Sequence, residues 1–407
     1  MSREVDVVVV GAGPAGLAAA TRLRELGVLR VVVVERETAA GGVPRHCAHS
    51  GFGLRDLHRL LSGPRYAQEL VRRALAQGVQ IEASTTVTDV DGAGVNVISE
   101  RGTQRIDARA VIVATGARER PRPARAIAGD RPAGVFTTGQ LQQWTVIEKM
   151  PVGHRALVVG AEHVSFSAMM TLHHARVSTA AIITELARHQ SVKGAGLFTR
   201  AYGRAPVLTR TRLLEITGRR RVQSVVLEDL DSRRTWSESV DTVVFTGDWI
   251  PDHELVRRAG IFMDPGTRGP ASDAAGRTSI DTVYAAGNLV HPVESADVAA
   301  RRARDVADAV VAELAHRLPP RSWISLRCEG PLQWVWPNRI LDGERLSYVR
   351  LRTNEFTSAT TLQAVRSDGR VVGTDTLRHT TPHRSLHAPA RVVAALGRDG
   401  AEIVQLV

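Results

Sequence analysis

Arg45-His46-Cys47 sits in a loop bounded by Gly41-Gly42 and Gly51-Phe52-Gly53, with His49 two residues further on. A thiol beside imidazoles can become a nucleophile if its thiolate is stabilised. Arg45, His46 and Cys47 are therefore the candidate catalytic residues. No second cysteine lies nearby, so dithiol exchange within the loop is excluded. The favoured alternative is a small buried cysteine whose neighbouring histidines bond backbone groups.

A second group of residues suits phosphate chemistry. Gly11-Ala12-Gly13-Pro14-Ala15-Gly16 spells G-x-G-x-x-G, and Glu35 follows 24 positions after Gly11. Gly11 makes a tight turn, Gly13 lets backbone approach a pyrophosphate, and Gly16 lets a helix pack on a strand. A helix starting at Pro14 offers free N–H groups and its positive dipole end to the phosphates. Glu35 suits a ribose diol. The elements that must position these residues are legible. Val5 to Val10 reads as a buried parallel strand, Pro14 to Leu26 as a helix and Val31 to Val34 as the next strand. Strand, helix, second strand and acid together make a dinucleotide site.

Two later stretches specify which dinucleotide. Ala110 to Ala117 is a strand ending in Ala114-Thr115-Gly116. Thr282 to Asn288 is a strand ending in Ala285-Ala286-Gly287-Asn288, before a helix from about Ser295 to His316. The set resembles the two-dinucleotide-binding-domain flavoproteins, the glutathione-reductase-like superfamily, over about Asp6 to Leu318. That resemblance implies FAD on the first fingerprint. It implies a cofactor set of Gly11, Gly13, Pro14, Ala15, Gly16, Glu35, Arg36, Gly42, Ala114, Thr115, Gly116, Gly287 and Asn288. Asn288 stands where an Asp is usual. A further alternative for the loop is that Arg45 and His46 hydrogen-bond the flavin and tune its potential.

The loop Gly41 to Gly53, with Leu61 to Tyr66 after it, resembles the FAD/NAD-type subunits of multi-subunit dehydrogenases. Those complexes oxidise glycerol 3-phosphate or secondary amines such as sarcosine, opines and hydroxyproline. The resemblance implies a partner flavoprotein and a small iron–sulfur subunit, with the substrate chemistry in the partner. The alternatives are a free-standing NAD(P)H-dependent flavin reductase and a scaffold whose FAD is structural.

Within the middle of the chain, strand Leu157 to Gly160, helix Val164 to His174 and strand Ser178 to Thr184 repeat the βαβ pattern. Glu185 lies 25 positions after Gly160, a spacing suited to a ribose-binding acid. The phosphate turn reads Gly160-Ala161-Glu162-His163-Val164-Ser165. Glu162 places bulk and negative charge where backbone should meet pyrophosphate. The favoured reading is a closed phosphate site, which makes NAD(P) doubtful as a second cofactor. The rival is a Glu162 that swings out. His163, His173 and His174 lack a convergent acid, so surface or packing histidines are expected and no metal is assigned.

The expected architecture is α/β. Two Rossmann-like dinucleotide-binding domains span 1–121 with 246–318 (FAD) and 122–245 (the insert), and a small mostly-β domain spans 322–407. In the insert, Pro206 to Thr211, Val222 to Leu227 and Val240 to Phe245 read as short strands. In the last segment, strands are expected at Trp323 to Arg327, Leu346 to Arg352, Thr360 to Val365, Val371 to Leu377 and Ile403 to Val407. Turns are expected at Asp342-Gly343, Asp368-Gly369 and Asp399-Gly400. Trp323, Trp334 and Trp336 are half of the six tryptophans, and burial is the favoured reading for them.

Composition narrows the class. The formal charge is +11, yet only Lys149 and Lys193 are lysines, and the arginines are scattered. Such scatter is not a nucleic-acid footprint. It favours at most an anionic substrate or an acidic partner. Cys47 and Cys328 are the only two cysteines, too few for a disulfide framework or an iron–sulfur cluster within the chain. Neither a signal peptide nor a membrane span is read, and a reducing, cytoplasmic setting is expected.

Overall fold

Ser2–Val10 ends in four consecutive buried valines, the composition of a strand covered on both faces. The computed structural model, which describes residues 2–191, 202, 205–396 and 400–407, places it at the centre of a mixed sheet. It pairs in parallel with Val31–Val34 and with Gly102–Val113, so that Val7 stands between Val31 and Ala110. Gln80–Glu82 extends the sheet on one side, and Val283–Ala285 returns late in the chain to pair with Gly102–Val113. Two antiparallel strands, Thr86–Asp91 and Gly94–Ser99, were not expected; they fold against the start of Gly102–Val113. Helices Pro14–Glu25 and Ala296–Leu314 cover one face, burying Leu17, Leu23, Ala303 and Val310 in one core. A Cβ on Gly16 would fall 1.9 Å from the Gly11 carbonyl oxygen, so only glycine lets this helix sit on its strand.

The insert is a second parallel sheet in the order Val135–Thr137, Thr242–Phe245, Arg155–Val159, Ser178–Ile183, Val207–Leu208. Helix His163–His174 crosses between its central strands. The strand expected at Pro206 to Thr211 is divided: Val207–Leu208 closes the parallel sheet, and Thr211–Thr217 opens an antiparallel meander with Ser224–Asp229 and Thr235–Ser239. The two chain crossings pair with each other. Trp249–Pro251 runs antiparallel to Ala117–Glu119, with Trp249 opposite Glu119.

After Pro320 the chain forms short sheets. One orders Arg327–Glu329, Ile403–Leu406, Thr357–Val365 and Val371–Thr380, and another orders Leu332–Trp336, Arg350–Thr353 and Ser385–His387. Strands Leu332–Trp336 and Ser385–His387 and helix Ala390–Ala395 were not expected. Trp334 and Trp336 are buried in the same core as Val8, Val32 and Val111, which fastens this segment to the first sheet. Trp336 Nε1 donates to Ser272 Oγ at 3.2 Å, and Ser272 N–H donates to Asn338 Oδ1 at 2.8 Å. Asp399 of the expected Asp399-Gly400 turn lies outside the described residues.

Candidate functional site

The carboxyl ends of Ser2–Val10 and Val31–Val34 open into a cleft of about 1460 Å³. Such a crevice is where open α/β sheets bind ligands. Gly11, Gly13, Pro14, Ala15, Glu35, Arg36 and Gly42 line it, as do Ala114, Thr115, Gly116 and Asn288. Gly16 and Gly287 do not; both pack behind it. Gly287 has φ +70°, and a Cβ there would meet Ala15 Cβ at 2.6 Å.

Local geometry explains each contribution. Gly11 has φ +102°, and a Cβ would lie 2.7 Å from the Ala114 carbonyl oxygen, so the fingerprint turn and the Ala114-Thr115-Gly116 turn touch through backbone. A Cβ on Gly13 would meet nothing within 4 Å, because the space in front of it is the cleft. Gly13 is also the N-cap of Pro14–Glu25, and no side chain caps that helix. Its first-turn N–H groups are therefore left for an anion. The Glu35 carboxylate accepts from the N–H of Ala12 at 2.8 Å and of Glu37 at 2.9 Å, which fixes it on the cleft wall. Asn288 Oδ1 accepts from Glu294 N–H at 2.7 Å, while its Nδ2 donates to the Glu294 carbonyl at 3.1 Å. An Asp could not supply that donor. The unexpected residue at 288 holds the segment 288–294 in place.

The loop carrying Cys47 does different work from that expected of a reactive centre. Burial pushes the Cys47 thiol up to about 12. Its Sγ–H donates to Gln142 Oε1 at 3.2 Å. Burial and this bond both favour the thiol over the thiolate. His46 is buried and faces the cleft, and desolvation holds its imidazole below the usual histidine value. Arg45 does not line the cleft. Its Nη1 donates to Glu37 at 2.6 Å and to the Ala39 carbonyl at 2.9 Å, which braces the loop.

Sequence reading missed Gln142 and Ser167. Gln142 Nε2 donates to Ser167 Oγ at 2.9 Å, and Ser167 Oγ lies 2.7 Å from His49 Nε2. Neither residue carries a spacing signal; they meet the loop only through the fold of the insert.

The second phosphate turn is filled. Gly160 ends Arg155–Val159, Thr246-Gly247 follow Thr242–Phe245, and these two strands are neighbours. The Glu162 carboxyl lies between them. Thr246 Oγ1 donates to its Oε1 at 3.1 Å, and a Cβ on Gly247 would fall 1.9 Å from the same oxygen. Desolvation pushes Glu162 up to about 7. The N–H of Gln190 donates to the Ala161 carbonyl at 2.9 Å, laying the segment after Ser178–Ile183 across the turn. Glu185 points elsewhere: Arg212 donates to its Oε2 from Nη2 at 2.9 Å and from Nε at 3.1 Å. His163 Nδ1 lies 3.0 Å from Ser191 Oγ, and His173 packs edge-on against Tyr202. Among the described residues no group of three or more His, Cys, Asp or Glu converges as a metal site. No described helix is long and apolar enough to cross a membrane.

Residues 5–303 match the family described as pyridine nucleotide-disulphide oxidoreductase. The chain belongs to that family. Its members are FAD-dependent oxidoreductases, and the open cradle at Gly13, the uncapped helix and the fixed Glu35 fit FAD. When bound, FAD supplies a reversible electron acceptor. The chain is 26% identical over 315 residues to an opine oxidase subunit of Agrobacterium tumefaciens (strain Ach5), covering 70% of this chain and 61% of that protein. It is 31% identical over 158 residues to the corresponding opine oxidase subunit of Rhizobium meliloti (strain 1021), covering 38% of this chain and 33% of that protein. The chain thus spans less than two thirds of the length of these curated relatives. In fold it is similar to the thioredoxin reductase of T. acidophilum, with a TM-score of 0.65 at 20% identity, over 77% of this chain and 99% of that one.

Proposed function

We propose that the chain is the FAD-carrying, electron-relaying subunit of a heteromeric dehydrogenase acting on a small amine or amino acid. One observation carries the reading: the first dinucleotide cradle is open at Gly13, while Glu162 fills the second. A flavin held in such a chain exchanges electrons with a donor other than a nicotinamide nucleotide. Similarity to two proteins named as opine oxidase subunits supports a partnered enzyme working on an amino-acid-derived amine. The partners expected are a second flavoprotein that holds the substrate and a small iron–sulfur subunit. Gly11, Gly13 and the N-terminus of Pro14–Glu25 would hold the pyrophosphate, and Glu35 the ribose. His46, Gln142 and the braced loop would border the flavin and exclude water. Co-expression with the neighbouring genes, followed by size-exclusion chromatography and amine-dependent dye reduction, tests this. The expected result is a complex whose turnover needs both the chain and a partner. A homodimer that turns over an amine unaided would overturn it.

A further inference from the structure

Among the described residues, five that line the cleft carry a buried polar side-chain atom with no hydrogen-bond partner: the acceptors His46 Nδ1, Glu119 Oε1 and Gln190 Oε1, and the donors Thr138 Oγ1 and Arg350 Nε. His46, Glu119 and Gln190 are 6%, 5% and 6% exposed, and Thr138 is 1% exposed. Buried polar groups are nearly always paired, so the three orphaned acceptors call for an occupant of the cleft. They come from three separate elements. His46 is in the loop, Glu119 ends the crossing strand Ala117–Glu119, and Gln190 follows Ser178–Ile183.

Helix Thr138–Gln142 brings two of the three together. The N–H of Gly139 donates to Glu119 Oε2 at 3.0 Å, and Gln142 Oε1 accepts from the thiol of Cys47, next to His46. Gln190 is bonded to Ala161, beside the buried carboxyl of Glu162. The chemistry here leans toward acceptors, with the Thr138 hydroxyl beside Glu119 and Arg350 Nε as the unpaired donors. Glu119 contributes a free carboxyl oxygen and Gln190 an amide oxygen. The His46 imidazole is held neutral by burial and presents a lone pair to accept with. The nearest cation, Arg125, is committed to the carbonyls of Arg120, Thr246 and Gly247. Arg352 is buried near Glu162 and is not among the residues lining the cleft. Unpaired acceptors outnumber unpaired donors, and burial pushes the Glu119 and Glu162 carboxyls up, a shift that a bound cation would oppose.

We propose that this chain itself binds a small ammonium-bearing ligand in the cleft, with ligand N–H groups donating to Glu119 Oε1 and Gln190 Oε1 beside His46. The proposal rests on the amine-dehydrogenase reading and deepens it. It gives the relay chain its own amine site in addition to the partner's.

The test uses the purified FAD-loaded protein and N-methylglycine as the probe. Isothermal titration and perturbation of the flavin absorbance band are read together. Butyrate, with a carboxylate and no nitrogen, is the control. The expected result is saturable binding of N-methylglycine below about 10 mM, with butyrate silent. Glu119→Gln keeps an acceptor for the Gly139 N–H, so the fold should hold. It should weaken binding roughly tenfold or more, because a charge-assisted hydrogen bond is lost. Gln190→Leu should weaken it by a smaller factor. Absence of saturable binding would overturn the proposal, as would equal binding of butyrate or no effect of either variant. If partner-dependent turnover survives any of these outcomes, the relay reading stands and only the amine site in this chain falls. If the isolated chain binds the probe and also turns it over alone, the site stands and the relay reading falls.

Discussion

Ser167 Oγ lies 2.7 Å from Nε2 of His49, and this contact joins the insert to the loop that follows Glu35. The donor directions form one series. His49 Nδ1 faces the Ser50 carbonyl at 2.9 Å and must donate to it. His49 Nε2 then accepts from Ser167, whose oxygen accepts from Gln142 Nε2, whose Oε1 accepts from the Cys47 thiol. Each member has a role only while the thiol keeps its proton.

The first prediction follows from that series. With Cys47 pushed to about 12, and Cys328 to about 11 by burial, neither thiol is ionised at pH 8. Iodoacetamide should label neither in the folded protein, as read by mass spectrometry of peptides, and should label both after denaturation. Cys47→Ser should keep the bound flavin, because a hydroxyl can donate to Gln142 in the same direction. Fast labelling of native Cys47 would reinstate it as a reactive residue.

Gly13 gives the second. The space a Cβ would enter is the cleft itself and holds no protein atom within 4 Å, so Gly13→Val should leave the fold intact. It should strip the flavin, because the added side chain stands where backbone must approach the pyrophosphate. Absorbance of the purified variant, with its thermal midpoint as the control for folding, reads both consequences. A folded variant with full flavin occupancy would misplace the phosphate site.

Glu162 gives a prediction about pH. Its folded value, about 7, lies above its ordinary 4.5. Between these values the folded chain holds a proton that the unfolded chain has released. Stability from this group is complete below about pH 4.5, falls as pH rises toward 7 and is level above it. The interval corresponds to about 3 kcal/mol at most. Glu162→Gln keeps the bond from Thr246 and removes this titration. Urea unfolding at pH 5 and pH 8 should show the wild type losing more stability than the variant across that interval. Parallel losses in both would show that Glu162 is not the group responsible.

Much of this was legible in the sequence because it depends on local rules. The fingerprint from Gly11 to Gly16 declares itself through glycine stereochemistry, and Val31–Val34 through an unbroken apolar run. Strand Thr235–Ser239 was not legible. It is a polar strand with one half-buried face, held by its pairing to Ser224–Asp229 rather than by its own composition. Residue type alone gives no hint of the Glu37 partner of Arg45 or of the burial around Cys47. The orphaned acceptors at Glu119 and Gln190 left no local trace, since the residues that bring them together are scattered along the chain.

The last prediction concerns nicotinamide nucleotides. A dinucleotide on the second fingerprint needs room at the turn for two phosphates and an acid for its ribose. The turn offers a carboxyl at Glu162 wedged against Gly247, and the Gln190 N–H already engaged on Ala161. The ribose acid Glu185 is paired with Arg212. NADH and NADPH mixed anaerobically with the FAD-loaded protein should therefore bleach the flavin slowly or not at all. Dithionite should bleach it fully, because it needs no nucleotide pocket. Glu162→Gly alone should not open the site, since Gln190 still crosses the turn and Arg212 still holds Glu185. Rapid, saturable bleaching of the wild type by NADH would mean that these contacts open on binding, and would replace the partnered relay with a nicotinamide-driven reductase.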